Sequence, residues 1–95
     1  MKLFDKLNNR IDYNNSYTLR RAISILEGEF SLAKKNKDKK YANEVLNTTR
    51  KIYEQFSESY RESQDYGETM SYMQKLWAGR LRKFISHLEN SLNNF

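Results

Sequence analysis

Ninety-five residues with a net charge of +5 and a mean hydropathy of −0.96 predict one small domain of marginal stability, since a chain this short buries a modest share of its surface. The absence of cysteine excludes a disulfide framework and thiolate metal sites, and the absence of proline with only three glycines argues against a turn-rich β protein. No apolar run approaches the roughly 20 residues that span a bilayer, and the N-terminus has no signal-peptide core, so a cytoplasmic location is the expectation.

In chain order, Leu3, Phe4, Leu7 and Ile11 recur at three and four and predict a short amphipathic helix over Lys2 to Tyr13. Asn14, Asn15 and Ser16 end it, because their side chains bond nearby backbone and favour turns and caps. A second helix begins near Ser16 and runs to Lys35. Its apolar set is Leu19, Ala22, Ile23, Leu26, Phe30 and Ala33, with Ile25 at the edge and Gly28 as a point where another helix could approach. Lys34 to Lys40 holds five lysines in seven residues, broken by Asn36 and Asp38, and reads as the connection to the third helix.

That third helix, Lys39 to Gln64, is the longest uninterrupted pattern. Tyr41, Val45, Thr49, Ile52, Phe56 and Tyr60 place one stripe along it. Glu54, Glu58 and Glu62 form an acidic row, with Arg50 four residues before Glu54 and Arg61 four before Asp65. Tyr66-Gly67 supplies a stop. The fourth helix, Glu68 to Ser91, carries Met70, Met73, Leu76, Trp77, Leu81, Phe84, Ile85 and Leu88, and is either continuous or bent at Gly79. The predicted fold class is therefore all-α: a four-helix bundle or helical hairpin with a short N-terminal and a long C-terminal helix. The core residues expected are Leu19, Ile23, Leu26, Phe30, Val45, Ile52, Phe56, Met73, Leu76, Trp77, Leu81 and Phe84.

Charge is unevenly ordered. Residues 1–53 carry twelve Lys/Arg against six Asp/Glu, residues 54–74 one against five, and residues 75–95 four against one. Basic ends thus flank an acidic waist. Little asks for catalysis: His87 is the sole histidine, no serine is framed as a nucleophile, the glutamate row reads as a solvated face, and the three glycines are isolated. No enzyme activity, metal or cofactor is expected.

Two features point to binding. A basic set, Arg20, Arg21, Lys34, Lys35, Lys37, Lys39, Lys40 and Arg50, with Arg80, Arg82 and Lys83 later in the chain, could neutralise phosphates if helices two and three form a hairpin. The competing reading is a solubilising loop. The seven tyrosines exceed what one core face holds, so some are expected at the surface, to stack a base or fill an interface. Tyr66, Tyr72, Trp77 and Phe84 are the candidates for a protein interface.

The order of elements, TLRRAISIL opening the second helix, KKNKDKK connecting, and SESYRESQDYGE closing the third, resembles the N-terminal helical part of the GatB/YqeY family over about Leu3 to Leu76. Leu19-Arg20 matches that family's Leu-Arg pair, and Ser59 to Gly67 its serine-to-glycine spacing. Glu68 stands where the family has arginine, and Met70, Tyr72, Met73 and Lys75 replace its Glu-rich continuation. The resemblance implies a tRNA-associated module without amidotransferase activity, an accessory protein of phage type. RNA of tRNA type is thus the first expected partner. A protein partner or a second copy, bound by an adaptor, is the alternative.

Overall fold

The computed structural model describes residues 2–65 and 72–95, without the side chains of Lys2, Met73 and residues 60–65. The roles read for Tyr60, Arg61, Glu62, Asp65, Tyr66, Gly67, Met70 and the Met73 side chain, and the start of the fourth helix at Glu68, lie outside the described residues. The described residues form four helices: α1 Lys2–Asn8, α2 Ser16–Lys35, α3 Lys39–Asp65 and α4 Tyr72–Asn93. The fold is an all-α bundle. No helix among the described residues is long and apolar enough to cross a membrane.

α3 is the axis of the packing. It touches α4, α2 and α1, whereas α2 and α4 meet each other only sparingly. At 1.5 Å per residue it is about 40 Å long, which accounts for most of the 47 Å long dimension. Its buried arc is wider than the single stripe in the sequence: Ala42, Val45, Leu46, Thr48, Thr49, Ile52 and Phe56 are all buried. Three helices need three contact rows, so the buried arc of α3 must be broad. Thr49 satisfies its hydroxyl by donating to the Val45 carbonyl at 2.9 Å. Thr48 is fully buried, and its hydroxyl has no hydrogen-bond partner.

α2 buries Leu19, Ala22, Leu26, Phe30 and Ala33, and α4 buries Trp77, Ala78, Leu81, Phe84, Leu88 and Leu92. Ile23 is half-buried against this core, and Leu76 is also half-buried. α4 continues as helix through Gly79. The expected close approach at Gly28 is absent, because a Cβ there would meet nothing within 4 Å.

α1 is shorter than its periodicity suggests. It stops at Asn8, and Ile11 and Tyr13 reach the core from an irregular segment. The chain turns there because Arg10 and Ile11 donate to Leu7 and Asn8 carbonyls three residues back. The Tyr13 hydroxyl donates to Asn8 Oδ1 at 2.6 Å. Thr18 Oγ1 accepts from the Asp12 amide at 2.9 Å and lies within reach of the Asp12 and Asn15 carbonyls, so the segment is tied to the first turn of α2. Asn15 caps that turn, its side chain accepting from the Tyr17 amide at 3.0 Å.

The α2–α3 connection is only Asn36–Asp38. The Asp38 amide donates to the Ala33 carbonyl at 2.8 Å and Lys37 to Lys34 at 3.2 Å, the paired bonds of a Schellman motif. Lys37 sits at the left-handed position, with φ 54°, where glycine is usual.

Three outcomes follow in urea unfolding. Ile52→Ala should cost about 2 to 5 kcal/mol, a large part of the stability of so small a domain. Thr48→Val should stabilise by about 1 kcal/mol, since it removes a buried hydroxyl without a partner. Lys37→Gly should stabilise by about 0.5 to 1 kcal/mol by relieving the Cβ clash at positive φ, less the entropy that glycine loses.

Candidate functional site

The lysine cluster is at the hairpin tip, but not in a loop. Lys34 and Lys35 close α2, Lys39 and Lys40 open α3, and Lys37 alone lies between. All five are exposed. The one carboxylate within this segment is committed to capping: Asp38 Oδ1 accepts from the Tyr41 amide at 3.0 Å, and the Asp38 carbonyl accepts from Ala42. Lys34 and Lys35 are favoured by the negative end of α2, but Lys39 and Lys40 face the positive end of α3. Five cations are therefore concentrated at the tip, with Asp38 among them and Glu29 and Glu44 nearby as counter-charges.

Beside the tip, the Tyr41 hydroxyl donates to Glu29 Oε2 at 2.7 Å and joins α3 to α2. Burial, that hydrogen bond and the charges of Glu29, Glu44 and Asp38 push the Tyr41 phenol up to about 12. Burial alone does the same for Tyr13. Both hydroxyls therefore remain neutral donors well above pH 7.

The other expected phosphate ligands do not join the tip. Arg20 is about 22 Å down the α2 axis from Lys35 at 1.5 Å per residue. It lines a groove of about 520 Å³ between α2 and α4 with Ile23, Glu27, Arg80, Lys83 and His87. Arg21, one residue on, turns about 100° around the helix and lines a different hollow with Arg10 and Ile11. Arg50 does not pair along α3 with Glu54; its Nη2 reaches across to Glu89 Oε2 of α4 at 3.0 Å, and Nη1 donates to Asn47 Oδ1 at 3.3 Å. Arg82 likewise donates across, to the Tyr53 hydroxyl at 3.1 Å.

Trp77 and Phe84, expected both in the core and as interface candidates, lie in the core. Trp77 is 5% exposed and Phe84 9%, because the α4 stripe that carries them is the one that α3 covers. They show only an edge at the α2–α4 groove. Arg80 lies over the Trp77 ring at 4.8 Å, so the guanidinium is held at the rim of that groove by the aromatic face below it. Tyr72 is the expected interface residue that is open, at 76% exposure.

Arg80 and Lys83 were visible in the sequence only as basic residues on the last helix. Their meeting with Arg20 depends on α2 and α4 both running antiparallel to α3, which sets the first half of one beside the first half of the other. Among the described residues no group of three or more His, Cys, Asp or Glu converges as metal ligands would. No protein-family model matches the chain, and no curated protein or solved structure matches it.

Proposed function

We propose that this chain is a non-catalytic RNA-binding module, with RNA of tRNA type as its ligand. The observation that carries the reading is the hairpin tip: five exposed lysines in seven residues, with Asp38 engaged in the cap. Phosphates neutralised there release counterions, so the affinity is electrostatic and salt-sensitive. The α2–α4 groove supplies a second contact, where Arg20, Arg80 and Lys83 track a backbone beside the apolar floor of Ile23 and Phe84. Arg80 is the residue best suited to a phosphate, since its stack on Trp77 limits the entropy lost when it binds. The resemblance of TLRRAISIL and the lysine-rich connection to the GatB/YqeY family points the same way and favours tRNA within that class.

An adaptor built on Trp77 and Phe84 is the weaker reading, because both residues are needed inside. The test is binding of purified tRNA by the intact chain. Changing Lys35, Lys37 and Lys39 together to Glu should abolish binding and leave the helical circular dichroism signal unchanged. Five phosphate contacts at the tip alone should give the native chain a loss of about two to three orders of magnitude in affinity between 50 and 200 mM salt. Undiminished retention of the triple variant on tRNA would remove the proposal.

A further inference from the structure

α2 is apolar on two faces, and the bundle uses one. Leu19, Ala22, Leu26, Phe30 and Ala33 face the core. Tyr17, Ile25 and Leu32 face outward, at 63%, 36% and 49% exposure, and supply three of the four exposed large hydrophobic residues found among the described ones. They are not scattered. At about 100° per residue, Arg21, Ile25, Gly28 and Leu32 form one row along the helix, turned by roughly 130° from the buried row, with Tyr17 and Lys35 extending it at either end. Single exposed hydrophobic side chains are ordinary, but Ile25 and Leu32 lie on one line two turns apart, with Gly28 between them and Tyr17 toward the end, and make one apolar strip.

Two further features give this face a shape. At its lower end it opens into a hollow of about 420 Å³, walled by Leu7, Ile11 and Ala22 and flanked by Arg10. In its middle is Gly28, over which there is open space, so a second backbone can approach between Ile25 and Leu32 without meeting a side chain.

Charge selects the occupant. Arg10, Arg21 and Lys35 border the face, and no carboxylate lines the hollow. Glu29, four residues after Ile25, is the carboxylate at the edge of this face and is turned to Tyr41, so the three cations outnumber it; Glu27 stands on the α2–α4 groove. A second copy of this chain docking face to face would set Arg21 against Arg21 or against Lys35, an opposition of like charges in either direction. Carboxylates flanking an apolar row would meet the same arginines favourably. We propose that the outer face of α2, with the hollow at its base, receives an acidic amphipathic helix of a partner protein, its apolar row lying over Ile25, Gly28 and Leu32. This face shares only Lys35 with the lysine tip and lies apart from the α2–α4 groove, so the inference does not depend on RNA binding.

Two synthetic helical peptides with the same Leu/Ala row, one flanked by Glu and one by Lys, would be titrated into the intact chain and followed by backbone-amide NMR. The Glu-flanked peptide should bind at least tenfold more tightly and shift amides along Tyr17 to Leu32 and around Ile11. Ile25→Glu combined with Leu32→Glu should weaken it at least tenfold with helicity retained. Gly28→Gln, which improves helix propensity and so preserves the fold, should also weaken it by filling the approach. Equal affinity for the two peptides, shifts confined to the α2–α4 groove, or binding indifferent to these variants would overturn the proposal. So would self-association of the chain that Ile25→Glu dissolves, since a second copy would then be the occupant.

Discussion

Burial around α3 is the constraint on which the rest of the structure depends. α1 is too short to be stable alone, and α2 and α4 touch each other only sparingly, so each helix must lay its apolar stripe on α3. One helix can serve three neighbours only if its buried arc is broad. Ala42, Val45, Leu46, Thr49, Ile52 and Phe56 provide that breadth, and Thr48, whose hydroxyl goes without a partner, marks its cost. A polar side chain at full burial is tolerated there because its Cβ methyl packs as valine would, in a position that the three-sided packing removes from water.

The same geometry leaves the periphery free. Because α2 and α4 do not close on each other, a groove with cationic rims stays open between them, and Arg80 is held at its edge by the Trp77 ring. At the other end, a three-residue connection brings the last turn of α2 and the first of α3 together, and their lysines with them. The cap that makes so short a turn possible fixes the Asp38 carboxylate on the Tyr41 amide, among lysines that outnumber it five to one within the segment. α2 presents the groove on one side and an exposed apolar row on another.

Much of the architecture was legible in the residues. Helix spacing located α2 and α3 nearly to the residue, since long runs without proline admit one periodicity and Asn15, Asn36 and Asp38 are residues that cap or interrupt helices. α1 was over-extended for an instructive reason. Ile11 continues the three-and-four pattern, yet it reaches the core from a non-helical turn held by the Tyr13 and Thr18 hydroxyls, and periodicity cannot distinguish a buried helical residue from a buried turn residue. For the candidate site, the lysine tip was readable because it is local. The grouping of Arg20, Arg21 and Arg50 with it was not, because adjacent residues diverge around a helix and a long arginine takes the partner that another helix offers.

The sequence by itself determined that this protein is helical, where its long helices lie, which stripe of each is apolar, and that lysines crowd one connection. Those are properties of neighbours three or four residues apart, and backbone geometry converts them directly into faces. Only the tertiary structure decided that Arg50 reaches Glu89, that Arg20 meets Arg80 and Lys83, and that the outer row of α2 remains uncovered. The physical reason is that an apolar stripe specifies a need for burial without naming what supplies it, and the supplier is chosen by how the helices stack around α3.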